Sequence, residues 1–171
     1  MKNRFSTLFS LLAALFFFAT TGCGTNEGTE GADAEPAAAE SENPDRGTAT
    51  ATIAGVEVSI EYGRPDLNGR DVLAMAEAGL VWRMGKNQAT VMTTSGDLTI
   101  GGSVVKAGRH TLWMKKTEDG WELLVNEQAE DGMWGSPSPT EGYVATATMA
   151  VSELEESHET FTVEVSAGDD N

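Results

Sequence analysis

Between Gly63 and Ala89 the sequence collects Arg64, Arg70, Arg83 and Lys86, half of the bases found over residues 48–168. A guanidinium carries a planar fork of donors that matches the two oxygens of a carboxylate or phosphate. Trp82, beside Arg83, adds an aromatic face for stacking, and Asn87 and Gln88 add amides that donate and accept. Arg64, Arg70, Trp82, Arg83, Asn87 and Gln88 are therefore the candidate residues for a small polar or anionic ligand, or for a glycan. The same arginines suit a second role, clamping loops through Glu61, Asp66 or Asp71. Trp113 and Trp134 are candidate exposed indoles for a sugar ring or a partner surface, unless the loop over 127–142 folds back and Trp134 covers a sheet edge or Trp113.

Little else in the chain has the makings of catalysis. His110 and His158 are the two histidines, and neither lies in an H-x-H or H-E-x-x-H pattern. There is no G-x-S-x-G, no P-loop and no paired cysteine and histidine. Glu153, Glu155, Glu156 and Glu159 form an acidic run without the Asp/Asn/Gly spacing of a calcium loop, and read as a solvated turn. No metal and no cofactor is expected. With 27 acids against 11 bases and a net charge of -16 in 171 residues, nucleic acid is excluded as a partner, because phosphate binding needs a basic face. A single cysteine excludes a disulfide scaffold.

The elements that must position the candidate residues begin well inside the chain. Lys2 and Arg4 precede an apolar run over 8–19, too short to cross a hydrocarbon core of about 30 Å. Thr20-Thr21-Gly22-Cys23 follows and resembles the lipobox of bacterial lipoproteins, with Thr20 where Leu is usual. The resemblance implies a signal peptide over 1–22, cut before an acylated Cys23 that carries diacylglycerol and an N-linked palmitate or similar chain. Two or three acyl chains make a durable anchor, where one is marginal. Gly24, in place of Asp, implies the outer membrane of a bacterial envelope. The other reading is ordinary cleavage to a secreted protein with a free thiol. Residues 23–47 hold seven acids, one base, and no aromatic or branched aliphatic residue, so they read as a disordered acidic tether with a reach of roughly 25–30 Å.

Residues 48–168 read as one β domain. Val56, Val58, Ile60 and Tyr62 alternate with polar residues, and Thr48–Ile53 precedes them across Ala54-Gly55. Thr90–Thr94 is expected to pair with Asp97–Ile100 across Ser95-Gly96, with Val91, Leu98, Ile100 and Val105 sharing a face. Arg109–Asn126 is a hairpin turning at Asp119-Gly120, with Leu112, Met114, Trp121, Leu123 and Val125 inward and Trp113, Leu124 and Asn126 on the other face. Tyr143–Val151 and His158–Val165 close the domain. Asp71 caps a short helix through Ala78, ended by Gly79. The pattern predicts an all-β fold, an antiparallel β-sandwich of about eight or nine strands with one short helix; the alternative is a β-barrel.

Tyr62-Gly63-Arg64-Pro65, Asn68-Gly69-Arg70, Val81-Trp82-Arg83-Met84-Gly85-Lys86-Asn87-Gln88-Ala89-Thr90 and Val105-Lys106-Ala107-Gly108, with the later Trp121 and Asn126, resemble the pattern of domain-of-unknown-function family 2911 over roughly residues 50–165. Members typically have Glu where Gln88 stands and Pro where Lys106 stands. If that Glu serves as a general acid or base in the family, Gln88 removes it here, since an amide does not titrate. The resemblance implies an exported lipoprotein without bringing an activity. The reading from sequence is a non-catalytic envelope lipoprotein, held to the bilayer through Cys23, whose domain binds a small polar or anionic ligand or a glycan. A structural or assembly lipoprotein with an envelope-protein partner is the second reading, and a hydrolase the third.

Overall fold

The computed structural model describes residues 9–10, 38–39 and 45–167. The signal peptide apart from residues 9–10, Cys23 and most of the tether lie outside the described residues. The elements are β1 (Phe9–Ser10), β2 (Ala38–Ala39), β3 (Arg46–Ile53), β4 (Val56–Gly63), β5 (Val81–Trp82), β6 (Thr90–Thr94), β7 (Leu98–Ile100), β8 (Ser103–Val105), β9 (Gly108–Lys116), β10 (Trp121–Asn126), β11 (Tyr143–Met149) and β12 (Ser152–Glu153). The fold is all-β and antiparallel. One large sheet has the order β11-β10-β9-β6-β4-β3-β2, with β5 also paired to β9; β7 and β8 form a small second sheet, and β1 pairs with β12. The large sheet is open, with β11 and β2 as its edges, so the barrel alternative does not hold. β3 opens at Arg46 and β2 pairs with it at Ala49 and Thr48, so strand structure begins inside the segment read as tether.

The hairpins follow their turns. Ile53 pairs with Val56 across Ala54-Gly55, both at positive φ, the backbone that a two-residue hairpin turn requires. β9 and β10 pair from Lys116↔Trp121 to Thr111↔Asn126, a four-residue loop. Leu112, Met114, Trp121, Leu123 and Val125 accordingly sit in one core with Val58, Ile60 and Tyr62. The small β7–β8 sheet and the 161–165 segment cover this face, contributing Leu98, Ile100, Val105 and Val165. The opposite face is not left to water. Trp113, Leu124 and Ala89 form a second buried cluster, closed by Val81, Met133 and Tyr143. Trp113 is fully buried, and its indole N–H donates to Thr111 Oγ1 at 2.9 Å.

Three local expectations are corrected. Asp71 does cap, accepting from the Ala74 N–H at 3.0 Å, but residues 72–75 form a turn and no helix propagates. Eight residues give too few hydrogen bonds to offset nucleation, and Val72, Ala74 and Met75 are exposed, so no packed face supports a helix. β6 does not pair with β7. Ser95 turns the chain back onto β4, donating from N to Glu57 O at 3.0 Å and accepting from Glu57 N on Oγ at 2.9 Å, which leaves β6 between β4 and β9. Met92, opposite Ile60, therefore enters the main core and Val91 takes the other face. Finally, 158–165 is extended without a ladder: Phe161 N donates to Pro65 O and Leu67 N to Glu159 O, yet Phe161, Val163 and Val165 still alternate inward with exposed Thr162 and Glu164.

Candidate functional site

β5 and β6 lie along the same side of β9. Trp82 faces Met114 and Thr90 faces Leu112, so residues 83–89 loop out opposite Trp113 alone. A large bulge of this kind re-aims side chains at a sheet edge or rim. Its sequence permits it: Met84 and Asn87 adopt left-handed backbone, and Thr90 Oγ1 closes the loop by donating to Met84 O at 2.8 Å. Gly63 and Gly85 let β4 and the bulge meet backbone to backbone. A Cβ on Gly63 would lie 2.1 Å from Lys86 O.

Arg83 ties this bulge to the long 127–142 loop. Its Nη1 donates to Gly135 O at 3.0 Å and its Nε lies 3.4 Å from Gly85 O. Ala89 N donates to Met133 O and Gly135 N to Asn87 O, and Gln88 bridges Trp134. The far end of the loop hangs on Asn126, which is fully buried: Nδ2 donates to Glu141 O at 2.6 Å and Oδ1 accepts from Gln128 N at 2.9 Å. Arg109 pairs with Asp131, and the hydrogen bond it donates, together with its charge, holds that carboxyl below the ordinary range. The loop thus folds back as expected, but Met133 and not Trp134 covers Trp113; Trp134 stays 57 % exposed.

On one side of the bulge lies a cleft of about 540 Å³. Leu73, Ala76, Trp82, Met114, Trp121 and Phe161 make its apolar wall, and Trp82 and Phe161 meet edge to face at 5.2 Å between ring centres. Val72 and Leu80, both nearly half exposed, stand among its lining residues. Arg70, Arg83 and Lys86 also line it, against one carboxylate, Asp66. Arg70 Nε and Nη2 hold Leu67 O and Asp66 O, each at 3.0 Å. Lys86 Nζ pairs with Asp45 at 2.6 Å.

The structure therefore divides the residues expected to bind ligand. Arg70, Trp82 and Arg83 share the cleft. Asn87 and Gln88 lie on the other side of the bulge, in a hollow of about 180 Å³ with Asp45, Arg46, Lys86 and Trp134. Arg64 lines neither; its backbone N–H donates to Asp45 O at 2.9 Å, and its Nε is buried without a hydrogen-bond partner among the described residues. Among the described residues neither Arg70 nor Arg83 clamps a carboxylate; both brace loops through backbone carbonyls. Sequence reasoning missed Leu73, Leu80, Met114 and Phe161 as site residues. The signal for Leu73 and Leu80 was an apolar stretch with no strand to belong to.

Residues 44–171 match the family described as Protein of unknown function (DUF2911). The chain belongs to that family. The match spans the whole described β domain, so the bulge, the cleft and the pinned loop are features of a DUF2911 domain. Among curated proteins and solved structures, nothing matches the chain. Gln88 lines the small hollow and not the cleft. Among the described residues no three His, Cys, Asp or Glu side chains gather as metal ligands do.

Proposed function

We propose that this chain is an envelope lipoprotein whose DUF2911 domain holds a single-chain anionic amphiphile, with its apolar body in the cleft and its charged head on the cationic side. The observation that carries the reading is the pairing of wall and rim. Trp82, Met114, Trp121 and Phe161 offer apolar surface, and Arg70 and Arg83 outnumber Asp66, the carboxylate in the lining, while Lys86 is paired with Asp45. The volume lies within the range of natural ligand sites. Each methylene taken from water contributes about 0.8 kcal/mol. A short alkyl chain therefore supplies several kcal/mol, and the cations choose an anion over a neutral head. This is a more apolar ligand than the charged sequence motif alone suggested. The lipobox-like Thr20-Thr21-Gly22-Cys23 supports an acylated Cys23 and an envelope location.

The test is a calorimetric titration with dodecanoate and with dodecanol. Wild type is expected to bind the carboxylate about tenfold or more tightly than the alcohol. Leu80→Glu, at an exposed lining position, is expected to abolish both without loss of thermal stability. Equal binding by wild type and Leu80→Glu contradicts the reading.

A further inference from the structure

The small hollow behind the bulge carries a separate inference; of the residues that line it, Lys86 also lines the cleft. Trp134 is held more firmly than an exposed indole needs. Its backbone bridges Gln88, and Gly135 behind it donates to Asn87 O at 3.0 Å and accepts from Arg83 Nη1 at 3.0 Å. Gly135 also sits so close to Arg83 that a Cβ would fall 2.1 Å from Cδ. A loop pinned this way has the means to bury its largest side chain, yet Trp134 remains 57 % exposed while Met133 does the packing. Around it, the side-chain amides of Asn87 and Gln88 make no hydrogen bond among the described residues, and Nη1 of Arg46 is buried without a partner. Lys86 and Asp45 pair at 2.6 Å, and Arg46 is a charged lining residue with no ion-pair partner among the described residues.

A flat indole, two unspent amides and one unpaired guanidinium are complementary to a ring with an apolar face, hydroxyls at its edge and one negative charge. The hollow of about 180 Å³ equals roughly six waters of liquid volume, room for one ring. We infer that it binds a saccharide ring bearing a carboxylate, a uronic acid residue of an acidic glycan. The ring stacks on Trp134, its hydroxyls bond to Asn87 and Gln88, and its carboxylate takes Arg46.

The indole N–H signals of the ¹⁵N-labelled full chain test this, since Trp82 reports the cleft and Trp134 the hollow, each assigned by its Trp→Phe variant. Methyl glucuronide is expected to shift the Trp134 signal saturably, with a Kd on the order of 1 mM, and to leave the Trp82 signal in place. Methyl glucoside is expected to bind roughly tenfold more weakly. Arg46→Met is expected to erase that preference, and Asn87→Gly, which keeps the left-handed backbone while deleting the amide, to weaken both sugars. A Trp134 signal unmoved by glucuronide, or shifted equally by the neutral sugar, overturns the inference. Dodecanoate acting on Trp82 is read in the same spectra, so failure of the hollow and failure of the cleft are told apart.

Discussion

Arg83 does two things with one side chain. Its Nε and Nη1 are spent on the carbonyls of Gly85 and Gly135, while the same guanidinium forms part of the cleft wall. Arg83→Ala is expected to cost about 1.5–3 kcal/mol in urea unfolding, the range for hydrogen bonds from a charged donor. Arg83→Lys is expected to recover little of it, because an ammonium cannot span both carbonyls. The partner carbonyl lies 52 positions along the chain, so nothing in the sequence could announce the brace; the sequence showed an arginine in a loop and the carboxylates near it, and the structure chose carbonyls. His110 makes a second prediction at this scale. It is buried with Nδ1 unpartnered, and burial pushes its imidazole below the ordinary 6.5 while Glu127 pulls the other way. Below 6.5 the unfolded chain takes a proton that the folded chain refuses, so this residue's contribution to stability is lost as the pH falls from 6.5 toward the folded value. Between about pH 7.5 and about pH 5.5, the urea midpoint of wild type is expected to fall relative to that of His110→Gln.

The bulge over 83–89 is the element on which both pockets depend. Gly63→Ala is expected to disrupt it severely, since the new methyl meets Lys86 backbone at 2.1 Å. Gly69→Ala, at φ +70 with nothing within 4 Å, is expected to cost only about 1 kcal/mol of backbone strain. Thermal unfolding of the two variants separates a contact from a conformational cost. Period-two alternation located β4, β9 and β10 with their facing and set β3 in a hairpin with β4, because in those hairpins the turn fixes the register that the pattern needs. It failed for β6, where both faces are buried: Thr90, Val91 and Met92 are all covered, and alternation cannot say which side is the main core. It also could not see that Trp113 and Leu124, on the face expected outward, are roofed by a loop. The 71–78 stretch read as a helix because a cap and apolar residues are there; Leu73 and Ala76 serve a cleft wall instead. Of the candidate site, the residue types were legible, while the split into two pockets was not, since it depends on which side of a seven-residue excursion each side chain leaves.

At the scale of the molecule, an acidic chain keeps its cations together. Arg46, Arg70, Arg83 and Lys86 stand around the bulge of a protein with a net charge of -16. A general negative field keeps such a protein soluble and away from other anions, and a local positive lining admits those that fit. Asp45, just before β3, pairs with Lys86 in the bulge at this same end. A membrane anchor at Cys23 would therefore deliver the cleft side of the domain close to the lipid surface, within the reach of a short flexible tether. Cys23→Ser is expected to move the protein from the membrane pellet to the soluble fraction on cell fractionation; an unchanged distribution removes the anchor from the account. The central claim is what the cleft holds, and native mass spectrometry of the protein isolated from the envelope tests it most directly. Wild type is expected to fly in part with one single-chain anionic amphiphile bound, a species absent from Leu80→Glu; a wild-type protein that flies empty and gains no mass when dodecanoate is added overturns the amphiphile reading.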